Sequence, residues 1–159
     1  ALRSHFTHYT HMRGFTLIEV LIGIALLSLL VTFATINLLR PQVTAQVEGA
    51  ALTLVSDIKS QQMSAMVGEK GGIFFEDDRY ILFTGPNYVA SDTNNFPVVL
   101  AGSVRLVTIT WPNSELVFAK RSGEVANFTN GQNSVVLQNP STGEQKTITI
   151  NRLGALAIQ

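Results

Sequence analysis

Residues 13–30, RGFTLIEVLIGIALLSLL, decide how this chain is organised. From Phe15 to Leu39 the sequence is overwhelmingly apolar, and Glu19 is the only charge between Arg13 and Arg40. Residues 20–39 carry no charge at all. As a helix they measure about 30 Å, the thickness of a bilayer core. Positive charge precedes the run, which predicts an N-terminus held on the cytoplasmic side. One reading is a permanent single-pass anchor. A second is a secretory signal peptide with its apolar core at Val20–Phe33 and a small-residue cleavage site at Thr32–Ala34. Glu19 argues against both, because a carboxylate at the edge of hydrocarbon is costly and marks a functional position by default.

A third reading takes the local pattern literally. Gly14 stands before Phe15, and Phe15-Thr16-Leu17-Ile18-Glu19 opens the apolar run. This stretch closely resembles the class III signal of type IV pilins and type II secretion pseudopilins. The resemblance covers residues 13–40 and is most specific from Gly14 to Glu19. It implies that a membrane-embedded prepilin peptidase cuts after Gly14 and N-methylates the new amino terminus of Phe15. It also implies that the apolar helix is kept and becomes the packing core of a filament. Each position suits its part. Gly14 lets a protease approach the backbone closely. Cleavage would expose an α-amino group on Phe15, with an ordinary pKa of about 7.7–8.0. Glu19 would then sit one helical turn from a cation, able to meet it in its own chain or in a neighbour. The resemblance favours the neighbour, and such a pair serves register more reliably than stability. The sequence departs from the family where many members carry a proline: here that position is Ile36, and the first proline is Pro41. A kink is therefore expected near 40–41. Gly23 and Ser28 are small positions that suit either close helix approach or an ordinary helix surface.

The segment before the run, ALRSHFTHYTHMRG, has Arg3, Arg13, all three histidines and no acid. The spacing of His5, His8 and His11 invites a metal reading, but no carboxylate or cysteine lies nearby to complete a site, and a polar leader is the plainer account. The whole chain of 159 residues has no cysteine and a formal net charge of zero. No disulfide framework or thiolate site is available, and there is no bulk attraction to nucleic acid or anionic lipid.

Past the apolar run the pattern changes to an amphipathic one. Val47, Ala51, Leu54, Val55 and Ile58 fall at helical spacing, continued by Ala65 and Met66, with Gln46, Glu48, Asp57, Lys59 and Gln61 opposite. This predicts a helix packed on a sheet, ended by Gly68 and then Gly71-Gly72. The remainder reads as β structure. Strands are predicted at 72–76, 79–84, 97–101, 103–110, 115–120, 134–138, 146–151 and 155–158, separated by turn residues. The expected fold is α+β: a long N-terminal helix, transmembrane then amphipathic, packed on a C-terminal antiparallel β-rich head. The expected organisation is a leader at 1–14, an apolar helix at 15–40, an amphipathic helix at 41–68 and a head at 69–159. The order GGIFF, ELVFAKRSGEV and VVLQNPSTGEQKTITINRLGAL resembles the GspH/FimT-type minor pseudopilins and pilins.

Little suggests catalysis. Cut after Gly14, the chain would hold no histidine and no cysteine, which removes imidazole and thiol chemistry and the commonest zinc ligands. No cofactor is expected. Glu76-Asp77-Asp78 and Asp92-Thr93-Asn94-Asn95 are oxygen-rich turns that suit calcium or plain solvation. Asn127-Phe128-Thr129 fits a glycosylation sequon. Lys120, Arg121, Lys146 and Arg152 are candidates for DNA contact, which some FimT-like pilins make. Loss of Arg3 and Arg13 with the leader would leave the mature chain with two more acids than bases, which is not a DNA-binding footprint.

The resemblance thus implies a non-enzymatic minor pseudopilin of a type II secretion pseudopilus. It would be held in bacterial inner-membrane lipid with a periplasmic head. Its partners would be the prepilin peptidase and other pilin or pseudopilin subunits. The alternatives are a minor pilin of a type IV pilus or competence system with a DNA-uptake role, and a membrane-anchored binding domain that never polymerises.

Overall fold

A computed structural model describes residues 14–159, apart from the side chains of residues 34–44. The expected leader, with His5, His8 and His11, lies outside the described residues except for Gly14. The chain divides into two compact units, one running through Leu39 and one from Arg40 to Gln159.

A single helix, α1, is assigned from Leu17 to Val67. The assignment runs through Pro41, whose side chain and immediate surroundings fall outside the described residues, and with them the expected kink. Among the described residues no helix is long and apolar enough to cross a membrane. The end of the apolar run, from residue 34, belongs to the stretch whose side chains are not described.

The second unit begins with the amphipathic part of α1. Val47, Ala51, Leu54, Ile58 and Ala65 are buried in the core, with Val55 at its margin, as the spacing predicts. Burying each of the larger side chains stabilises by about 1.5–3 kcal/mol. Met66 departs from the expected stripe and is 47% exposed. The stripe also has a gap between Ile58 and Ala65, which Gln62 fills with polar chemistry. Its Nε2 donates to the carbonyls of Gly123 at 2.9 Å and Leu153 at 3.1 Å, tying two distant turns to one helix face. Gly68 ends α1 in the left-handed region at φ 105°. Its N–H donates to Ala65 O and the Glu69 N–H to Ser64 O, the pair of bonds that glycine termination supplies to orphan carbonyls. The Arg121 N–H adds a third donor, at 2.7 Å from Ala65 O.

Eight strands follow, at the positions the sequence predicts: β1 Gly71–Phe75, β2 Arg79–Thr84, β3 Phe96–Val99, β4 Arg105–Ile109, β5 Glu115–Val117, β6 Ser134–Gln138, β7 Gln145–Ile150 and β8 Leu156–Ile158. They form two antiparallel sheets, ordered β3-β2-β1-β5 and β4-β6-β7-β8, rather than one. The chain changes sheet after β3 and returns once, when β5 pairs with β1. The inward residues alternate as period two demands: Ile73 and Phe75 on β1, Val135 and Leu137 on β6, Ile148 and Ile150 on β7. These meet the α1 stripe, Leu116, Phe118 and Trp111 in one core. A second apolar layer lies on the far face of the first sheet. There the Tyr88 ring stacks on Phe74 with centroids 4.1 Å apart and meets Phe83 edge-on at 5.9 Å.

One polar pair joins helix and sheet. Tyr80, 1% exposed, donates its hydroxyl to Asp57 Oδ2 at 2.5 Å. Burial, and then this hydrogen bond, hold the phenol far above its ordinary value. The folded chain therefore keeps a proton that the unfolded chain releases near pH 10. Stability from this group is complete below about pH 10 and falls as pH rises beyond it. Tyr80→Phe is expected to cost about 1–2 kcal/mol at pH 7, because the half-buried Asp57 loses its donor. The same variant should show a shallower loss of stability between about pH 10 and 11. Denaturant melts of both chains at the two pH values measure this.

Candidate cleavage and assembly site

Thr16 immediately precedes the first helical residue. Its Oγ1 accepts the Glu19 N–H at 3.4 Å and its carbonyl accepts from Glu19 N at 3.1 Å and Val20 N at 3.3 Å. Threonine before the helix and glutamate three residues on make the sequence pattern of a capping box, of which the threonine half is formed here. The Thr16 cap is not part of the expectation for Glu19, although the signal Thr-x-x-Glu ahead of an apolar run is there to find it. Glu19 is the acid in the first turn of α1, where a negative charge opposes the positive end of the helix dipole. Its carboxylate is exposed and makes no hydrogen bond or ion pair among the described residues.

The Gly14–Phe15 bond lies just ahead of this cap. Gly14 is exposed, a Cβ there would meet nothing within 4 Å, and Phe15 is 82% exposed. The bond is open to an enzyme. Past the cap, the apolar side chains from Leu17 to Phe33 are bare around the whole helix: Leu21, Leu26 and Leu30, for example, are 55–63% exposed. A helix apolar all round is stable only within lipid or within protein. Its two hydroxyls fit that setting. Ser28 Oγ donates to Ile24 O and Thr32 Oγ1 to Ser28 O, each at 2.8 Å, so neither presents an unsatisfied donor outward.

The other candidate sites serve the fold. In the acidic turn, Arg79 Nε lies 3.1 Å from Glu76 Oε2 and 2.9 Å from Asp78 Oδ1, and Nη2 donates to Asp78 Oδ2 at 3.2 Å. The guanidinium thus engages Glu76 and both oxygens of Asp78, and its hydrogen bond holds the Asp78 carboxyl below the ordinary range. In the second oxygen-rich turn, Asp92 Oδ1 accepts from Asn94 N at 2.9 Å and Nδ2 at 3.0 Å, and Asn95 Nδ2 donates to Val89 O at 2.9 Å. Among the described residues no group of three acids or histidines is placed to hold a metal ion. The sequon asparagine is engaged: Asn127 Nδ2 donates to Glu115 O at 2.7 Å and Oδ1 accepts from Val117 N at 3.1 Å, so the side chain extends the sheet beside β5. Lys120, Arg121 and Arg152 are exposed on the two turns that Gln62 ties together, while Lys146 is half-buried on β7.

Residues 10–35 match the prokaryotic N-terminal methylation motif, which is typical of type IV pilin-like and pseudopilin chains. Comparison with curated proteins and with solved structures gives no significant match. The methylation motif in the first unit, and in the second a helix packed on an antiparallel β head, are features that pilin-like structural proteins share.

Proposed function

We infer that this chain is a minor pseudopilin, a structural subunit of a type II secretion pseudopilus built from the bacterial inner membrane. The observation that carries the reading is the methylation motif over residues 10–35, which takes in an apolar helix bare on every side from Leu17 to Phe33. In this reading residues 1–14 are a leader, removed by the prepilin peptidase between Gly14 and Phe15. The new amine of Phe15 is methylated, which keeps its charge. The helix from Phe15 to Arg40 spans the inner membrane as a single pass, with the head, residues 69–159, in the periplasm. Extraction into the filament transfers the helix from lipid to the helices of other pilin-like subunits, so its apolar surface stays out of water throughout. Glu19 meets the Phe15 amine of a neighbouring subunit and fixes the register of an otherwise smooth helix. The GspH/FimT-type assignment is supported by the order of helix and strands.

Mass spectrometry of the membrane-extracted protein tests this directly. The expected product begins at N-methylated Phe15. A chain that keeps residues before Phe15, or one cut after Ala34, overturns the reading in favour of an anchor or an ordinary signal peptide. Deletion of the gene is expected to block secretion, and a block of piliation or DNA uptake instead would move the chain to a pilus or competence filament.

A further inference from the structure

Two sheets have four edge strands, β3, β5, β4 and β8. An open edge is a row of unpaired N–H and C=O groups that templates another strand, and folded proteins normally blunt it. Three of these edges are blunted, each by a different device. On β3, Leu100 N donates to Asp78 O, so the ladder's alternation turns Pro97 and Val99 outward. Pro97 has no N–H to offer there. On β5 the outward groups are filled: Val117 N and Glu115 O bond the Asn127 side chain, Ala126 N donates to Val117 O at 2.8 Å, and Glu115 N donates to Pro112 O. On β4 the ladder is bulged between Leu106 and Thr108, and the Leu106 N–H donates to Asp77 O at 2.8 Å.

The β8 edge has none of these three devices, and only its length of three residues limits it. Gln159 exchanges both bonds with Thr147 at 2.9 Å, and Ala155 O accepts from Asn151 N at 3.0 Å. By alternation Ala155, Ala157 and Gln159 face β7, and Leu156 and Ile158 turn their N–H and C=O outward. Those groups have no partner among the described residues. The strand carries no proline, no charge and no bulge. Ile158 lies opposite the fully buried Ile148 and is 40% exposed, so the apolar core runs out to this edge.

We propose that β8 is a docking edge, extended in the filament by an extended segment of a neighbouring pilin-like subunit. The proposal rests on the filament reading above. Backbone groups at strand spacing specify an extended partner, and Ile158 specifies an apolar side chain on the core side of it. The small size of the edge specifies where the partner comes from. Two outward residues bury far less than the roughly 1,200–2,000 Å² of a stable, freely formed interface. Only a chain already held close by another contact gains from so few bonds, since tethering raises its effective concentration. The bare apolar helix of each subunit supplies that other contact. A second copy paired through β8 about a two-fold axis would be an isologous, closed interface, whereas a filament grows by heterologous ones.

Hydrogen exchange of the full-length chain, resolved to single amides, tests the proposal in two states: solubilised in detergent and assembled with its partner subunits. The Leu156 and Ile158 amides are expected to exchange freely in detergent and at least about tenfold more slowly in the filament. Ile158→Pro should keep the inward bonds of Ala157 and Gln159, melt near the wild-type temperature and lose incorporation. Filaments that contain the chain with both amides still unprotected overturn the docking edge and leave the filament reading intact. A chain that is never processed or assembled overturns both. Protection that appears in detergent and grows with protein concentration overturns the proposal in favour of a second copy.

Discussion

Glu19→Ala is expected to be cut and methylated normally and to enter filaments about a hundredfold less well or worse. Leaving one member of a buried charge pair alone costs about 3–5 kcal/mol, and each 1.4 kcal/mol is a factor of ten. The capping geometry supplies the decisive control. Glu19 also sits at the third helical position behind Thr16, so an alanine removes a local helix signal together with the charge. Glutamine at that position leaves the Thr16 cap in place, keeps the length of the side chain and discards the charge. If the charge pair governs assembly, Glu19→Gln fails like Glu19→Ala. If the helix start governs it, Glu19→Gln incorporates normally and Thr16→Ala fails instead, for a capping loss of about 1 kcal/mol. Quantifying each variant in sheared filaments against its N-methylated pool in the membrane separates these outcomes. Normal incorporation of Glu19→Ala would remove any assembly role for the residue.

Gly72→Ala is expected to destabilise the head by about 1–3 kcal/mol, the usual cost of forcing one methyl group into a packed site. Gly72 pairs with Phe83 on one side and Val117 on the other. A Cβ there would drive into the Leu116 carbonyl oxygen and meet Phe83 Cζ at 2.8 Å. Neither obstacle is free to move: the carbonyl belongs to the β5 backbone, and the Phe83 ring is buried and packed edge-on to Tyr88. The melting temperature should fall by about 5–10 °C. Gly49 provides the contrast. It lies within α1, and a Cβ there would meet nothing within 4 Å, so Gly49→Ala should stabilise by about 0.5–1 kcal/mol through helix propensity alone. Thermal melts of the two variants measure both signs. Equal effects would mean that the close approach at Gly72 has no energetic weight.

Features that repeat at a local period are legible in the sequence alone. The apolar run, the stripe from Val47 to Ala65 and all eight strands follow from spacing and turn residues, because burial of one face imposes that spacing along the chain. The short pattern from Gly14 to Glu19 is equally local, and it lies within the residues that match the methylation motif. Tertiary structure decides what depends on residues far apart in the chain. It divides the strands between two sheets, places β5 beside β1, and puts Phe83 over Gly72. It turns the Asn127 sequon into a substitute strand partner and gives Asp57, which reads as a solvent-facing residue of the helix, the hydroxyl of Tyr80. It also leaves one sheet edge of four without a proline, a bulge or bonded outward groups. A sequence window records which face of an element is apolar, but not which distant face will cover it. Glu19 stands at that boundary: its type and position are fixed by the sequence, its cap by the first turn of the helix, and its partner in the proposed filament by contacts between chains.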